Sequence, residues 1–216
     1  VCMDGFILTH AVEQVDVPEK EQVKQFLPDF EPRVLLDPES PISMGAMVGP
    51  EAFTEVKYLA HHKQMQALEL IPEVQKEFEK VFGRDSGGLL HKYRTDDAET
   101  IVVCLGSITG TMRDVVDSSR AAGEKIGVLS LVSFRPFPRM AVRDALAHAK
   151  TVVVLEKAFS VGIGGIVASN VRTALADVHI DQYELIAGLG GRDITQASLN
   201  DYLDKVAAGE MKHFKF

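Results

Sequence analysis

The sequence predicts an α/β fold, with a mainly parallel, doubly wound sheet over residues 98–216, preceded by a connector and a helical segment. Three observations carry this. Short runs that are apolar throughout recur after residue 100; stretches of helical spacing separate them; and glycine-bearing turns fall where the runs end. Strands apolar on both faces belong to parallel sheets covered by helices on both sides.

Val1-Cys2-Met3 reads as the end of a buried strand turned by Asp4-Gly5, and with no initiator Met the chain reads as a piece of a longer one. Residues 14–50 carry Pro18, Pro28, Pro32, Pro38, Pro41 and Pro50 and read as an extended connector, because proline fixes φ and biases the residue before it toward extended conformations. Residues 51–82 read as helix. Phe53, Val56, Ala60, Ala67, Ile71, Val74, Phe78 and Val81 share one face, Gly83 suits the C-terminal cap, and Pro72 is expected to kink or split the helix near Ile71. Strands follow at Ile101–Leu105, Ile126–Val132, Thr151–Leu155 and Tyr183–Ala187, with helices at 110–122, Met140–Ala149, Ile163–Ala176 and Thr195–Ala208.

Composition bounds the function. The chain has 216 residues, 46% of them hydrophobic and 25% charged, enough for a sizeable core. Lys+Arg 23 against Asp+Glu 31 leaves a net charge of -8, which argues against nucleic acid and anionic membranes as partners. No apolar run approaches the ~20 residues of a membrane span. Cys2 and Cys104 read as two buried free thiols of a cytoplasmic protein. They cannot hold an iron–sulfur cluster, which takes about four thiolates. His61 and His62 are helical neighbours that point apart, so no metal site is expected.

Loops after the C-terminal ends of parallel strands are where such sheets bind ligands. Gly106-Ser107-Ile108-Thr109-Gly110 opens a helix; Ser107 and Thr109 are candidates for an anion cradle or, more ordinarily, for helix caps. Gly162, Gly164 and Gly165 follow the third strand and either let a backbone approach a phosphate or allow close helix–strand packing. Arg192, in Gly188–Thr195, and Arg135, between Phe134 and Pro136, are candidates for ion pairs at an interface, or for a ligand's carboxylate or phosphate. Asp193 is expected to cap the last helix. These residues alone leave open a stand-alone nucleotide- or CoA-binding module and a purely structural assembly domain.

The order of segments narrows this. Met3 through His10, the proline connector, Phe134-Arg135-Pro136-Phe137-Pro138, Glu156-Lys157 with its glycines, and Gly188 through Thr195 resemble the alpha subunit of the pyruvate:ferredoxin oxidoreductases (pyruvate synthases), among the 2-oxoacid:ferredoxin oxidoreductases. The resemblance implies that residues 98–216 form a transketolase C-terminal-like domain. Residues 1–97 would be the tail of a truncated thiamine-type pyrimidine domain with its connector and helices.

It also implies oxidative decarboxylation of pyruvate with CoA, giving acetyl-CoA and CO2 and reducing ferredoxin, or the reverse synthesis. A related oxidoreductase for another 2-oxoacid stays open. Thiamine diphosphate, magnesium and iron–sulfur clusters would belong to the complete enzyme, a dimer of multisubunit units. No cofactor and no catalytic residue are assigned to this chain alone, which is expected to be inactive, and ferredoxin would dock on another subunit.

Overall fold

The computed structural model describes residues 2–45, 47–211 and 213–215, without the side chains of residues 6, 7, 214 and 215. The chain forms two compact units, residues 15–86 and residues 1–14 together with 87–216.

The larger unit opens with residues 2–4 outside any strand, so the expected strand end is not formed there, and helix α1 (Phe6–His10) follows the turn at Gly5. Cys2 before it is exposed, whereas Cys104 is buried in the core. Its sheet comprises β1 (Leu90–Tyr93), β2 (Thr100–Cys104), β3 (Ile126–Leu131), β4 (Thr151–Glu156), β5 (Asp181–Ile186) and β6 (Phe214–Lys215), in the order β1-β3-β2-β4-β5-β6. β1 runs antiparallel to β3, and every other pairing is parallel. The four expected strands are all present. β1 was not expected, because Leu90-His91-Lys92-Tyr93 has the mixed character of an edge strand.

Helices α4 (Ile108–Ala121), α5 (Arg139–Leu146), α6 (Ile166–Ala174) and α7 (Gln196–Ala207) cover the two faces. Alternation along the strands decides which residues meet which helices. Ile101, Val103, Leu129, Val152 and Val154 pack with Val142 and Leu146 of α5 and Val167 and Val171 of α6. Val102, Cys104, Val128, Val153 and Leu155 pack with Met112 and Val116 of α4 and Leu199 and Val206 of α7. Both sheet faces are therefore core, as the uninterrupted apolar runs require.

The smaller unit contains α2 (Lys20–Phe26) and α3 (Phe53–Phe82). α2 interrupts the expected extended connector; the Gln22 side chain accepts the Glu19 backbone N–H at 3.1 Å, a capping-box bond that starts a helix among prolines. Phe26 packs edge-on against Phe78 and Phe82, with ring centroids 5.6 and 5.4 Å apart. α3 is one 30-residue helix with Pro72 inside it and Gly83 at φ 67° closing it, so proline does not divide it. One missing N–H leaves one carbonyl without its intrahelical bond, and the ladder continues on either side.

Candidate functional site

β2 has β3 on one side and β4 on the other. The chain thus winds outward from β2 in one direction, returns across it, and winds outward in the other. The crevice between the C-terminal ends of β2 and β4 is the topological switch point, where open α/β sheets characteristically take ligands.

Ser107 follows β2, and Lys157 follows β4. Between them lies a carboxylate of the chain itself. Asp4 Oδ2 accepts from Ser107 Oγ at 2.5 Å and from Lys157 Nζ at 2.5 Å, and Lys157 Nζ also reaches Ser107 Oγ at 3.1 Å. These three residues share a cleft of about 490 Å³ with Thr111, Gly188 and Arg192. A neighbouring hollow of about 400 Å³, between the end of β5 and α7, shares Gly188 and Arg192 and is lined by Leu185, Leu199 and Tyr202.

The hydrogen bond from Lys157 first, then that from Ser107, holds the Asp4 carboxyl below the usual carboxylate range. A lowered folded-state value means that the contact contributes its full stability above the ordinary carboxylate pKa. That contribution is lost as pH falls through the lowered value. Asp4→Asn is therefore expected to release residues 2–14 at neutral pH. Limited proteolysis should then cut there sooner than in the wild type, and equal cleavage rates would show that the ion pair does not hold the segment.

A second carboxylate fills the other expected anion position. Glu156, buried at the end of β4, accepts the backbone N–H of Val167 at 2.8 Å and of Ala168 at 2.9 Å. It thereby satisfies the positive N-terminus of α6. Glu184, buried on β5, accepts the Gly165 N–H and pairs with Arg172 at 3.1 Å. A Cβ on Gly165 would overlap Glu156 Oε1, and one on Gly164 would lie 2.8 Å from Glu184 Oε1. Gly164 and Gly165 therefore make room for the protein's own carboxylates and not for a phosphate. Gly162, at φ 85°, faces open space in the exposed turn before them.

The other candidates separate. Thr109 is turned away from the cleft: its Oγ1 is buried 3.2 Å from Ser130 Oγ and 3.6 Å from Cys104 Sγ. Burial pushes the Cys104 thiol up to about 11, leaving it inert. Arg135 is exposed, stacked 4.2 Å over the Phe134 ring with Nη1 2.7 Å from the Phe134 carbonyl oxygen. Arg192 is exposed in the cleft wall and has no carboxylate partner among the described residues. Both arginines follow strands at the same edge, but β3 and β5 stand three positions apart in the sheet, about 14 Å. They do not form one anion site.

Asp193 is not the cap of the last helix. α7 starts at Gln196, so the cap position falls on Thr195, whose Oγ1 accepts the Ser198 N–H at 3.1 Å while Ser198 Oγ accepts the Thr195 N–H at 3.1 Å. Thr195→Ala is expected to cost about 0.5–2 kcal/mol. Asp193→Ala, at an exposed position, should stay within about 0.5 kcal/mol. Thermal unfolding of the two variants checks the assignment, which fails if Asp193→Ala is the more costly.

A thiamine diphosphate site needs a cradle for the diphosphate and ligands for a divalent ion. Among the described residues no three His, Cys, Asp or Glu side chains are grouped to hold a metal. Asp4 and Glu156 themselves occupy the switch point and the α6 N-terminus. These residues do not fit that cofactor.

The architecture is that of a doubly wound α/β domain whose switch-point crevice is lined in part by its own N-terminal segment. Residues 98–199 match the family model of pyruvate:ferredoxin oxidoreductase core domain II, and residues 1–76 match that of the pyruvate flavodoxin/ferredoxin oxidoreductase thiamine diphosphate-binding domain. Pyruvate synthase subunit PorA of Methanothermobacter thermautotrophicus is 40% identical over 201 residues, 93% of this chain and 52% of that protein. Ketoisovalerate oxidoreductase subunit VorA of Pyrococcus abyssi is 34% identical over 98% of this chain and 53% of its own length. A solved split-gene transketolase, an inactive β4 tetramer, aligns at a TM-score of 0.41 and 23% identity, over 58% of this chain and 42% of that one.

The chain belongs to the pyruvate:ferredoxin oxidoreductase family and is alpha-subunit-like. It spans about half the length of the curated relatives it matches.

Proposed function

We propose that the chain is part of the alpha subunit of a pyruvate:ferredoxin oxidoreductase, where it supports thiamine-dependent oxidative decarboxylation of pyruvate with CoA to acetyl-CoA and CO2, or the reverse synthesis. The observation that carries this reading is the occurrence of two domain models of one enzyme family, in order, on one chain. Thiamine diphosphate supplies the carbanion chemistry of the decarboxylation when bound in the complete enzyme, with magnesium and iron–sulfur clusters held elsewhere.

This chain's own residues do structural work. Asp4, Ser107 and Lys157 fasten the N-terminal segment to the sheet, and Glu156 completes α6. Arg192 and Arg135 are available for acids across a boundary. With a charge of -8, the chain is a poor landing surface for an acidic electron carrier, so ferredoxin docks on another subunit. The complex is a cytoplasmic dimer of multisubunit units.

A second reading, in which the substrate is a branched-chain 2-oxoacid, draws on the identity to the ketoisovalerate enzyme subunit. Tagging the protein in its own host, purifying what comes with it, and assaying ferredoxin reduction on pyruvate and on 2-oxoisovalerate separates the two. CoA-dependent reduction is expected with pyruvate at the higher kcat/KM. A preference for the branched oxoacid would overturn the pyruvate assignment, and reduction with neither would overturn the family activity.

A further inference from the structure

Beyond its N-terminal segment, where Met3, Leu8 and Val12 are exposed, the exposed hydrophobic side chains of the α/β unit are not scattered. Between residues 90 and 211 the large ones are Leu105 after β2, Val132 and Met140 after β3, Val161, Ile163 and Ile166 after β4, and Leu189 after β5. All lie at the C-terminal edge of the sheet. The loops at the opposite edge, between helices and the strands that follow them, carry none among the described residues. Val161 and Ile163 are 88% and 74% exposed, the most exposed aliphatic side chains among these. Isolated exposed apolar residues are ordinary, but several gathered on one side of a domain mark an interaction surface. Arg135 and Arg192 stand on the same edge without carboxylate partners among the described residues, and arginine among apolar side chains is the composition of a protein interface.

We propose that this edge is the seat of the thiamine-diphosphate-binding domain of the same subunit, in the part of it that lies beyond these 216 residues. The proposal rests on the reading of the chain as a piece of an alpha subunit. Two observations choose this occupant. First, Asp4 belongs to the stretch matched to the thiamine-diphosphate-binding model, and it is already pinned to this edge by Ser107 and Lys157. The surface is thus continuous with a contact that the same domain makes. Second, a copy of the same edge is a poor occupant. A second copy of this edge would bring two more arginines, and as acids Asp193 and the already paired Asp4, so it offers little to neutralise Arg135 and Arg192. A partner that covers the patch must bring apolar side chains and acids to meet the arginines.

The test uses the complete complex purified from its host. A photo-crosslinking phenylalanine analogue replaces Ile163 in one preparation. In a control it replaces His179, exposed at the opposite edge of the sheet. After irradiation the joined peptides are identified by mass spectrometry. The Ile163 probe is expected to capture peptides of the alpha subunit's thiamine-diphosphate-binding domain, and the His179 probe to capture none of them. Capture by Ile163 of another subunit, capture of residues 87–216 of a second alpha subunit, or no capture at all would each overturn the proposal. Ferredoxin reduction on pyruvate, measured on the same preparation before irradiation, reports separately on the functional reading.

Discussion

Gly127→Ala is expected to destabilise the chain by about 3 kcal/mol, at the upper end of what one added methyl costs in a packed interior. Gly127 lies in β3, opposite Ile101 of β2. A Cβ built there would sit 2.5 Å from the Arg94 carbonyl oxygen and 3.0 Å from Thr95 Cα. Those are backbone atoms, so no rotamer change relieves the overlap. Nor can the 94–95 backbone simply lift. The Arg94 carbonyl accepts from Arg120 Nη2 at 2.7 Å, while the same guanidinium bonds the Ile126 carbonyl at 2.6 Å and Asp97 at 2.8 Å. The extra methyl therefore strains the turn, the strand and the arginine clamp together.

Gly110→Ala is the control. Gly110 is helical, exposed and has open space around its Cβ position, so alanine there should stabilise by about 0.4–1 kcal/mol. Urea unfolding of both variants checks the pair, and equal midpoints would refute the steric argument.

These two glycines show what was legible in the sequence and what was not. The order of strands and helices after residue 100 could be read because a parallel sheet buries both faces of its strands, leaving uninterrupted runs such as Ile101-Val102-Val103-Cys104. Gly127 gave no such signal, since the atoms it must avoid belong to a turn more than 30 residues earlier. β1 escaped notice because one of its residues is exposed and the others only partly buried, so no pattern of period two or continuous burial appears.

The N-terminal segment was misread for a different reason. A short apolar run before Asp4-Gly5 reads as a buried strand end, yet Cys2 and Met3 are exposed and in no strand, and what fixes the segment is the contact of Asp4 with Ser107 and Lys157. Of the site candidates, Ser107 was identifiable from its position after β2. Its partner Asp4 was not, because 103 residues separate them. The glycines at 164 and 165 pointed to a close approach, and the approaching group is a buried carboxylate of the protein itself. One signal for it was available. Glu156 ends the apolar run Thr151–Leu155, and a charged group at the end of a buried strand requires hydrogen-bond donors nearby.

Glu156→Ala is accordingly expected to be the other severe substitution, costing about 2–4 kcal/mol. The loss has two parts: the capping of α6 and the burial of the Val167 and Ala168 N–H groups without acceptors. Glu156→Gln keeps the shape and one acceptor oxygen, so it should cost less. The pH dependence separates the charge from the shape. Burial, reinforced by the nearby Glu184 and opposed by the α6 backbone N–H groups, pushes the Glu156 carboxyl above its ordinary value. A raised folded-state pKa makes the contribution of Glu156 greatest below the ordinary carboxylate range, and it is lost as pH rises through the raised value. Glutamine does not titrate and lacks that loss. The stability gap between wild type and Glu156→Gln should therefore narrow as pH rises through this window, while Glu156→Ala stays the least stable throughout. Urea unfolding of the three proteins across that range measures the gap. A gap that widens with pH would mean that the ionised carboxylate is the favoured form and that the α6 N-terminus outweighs burial at this site.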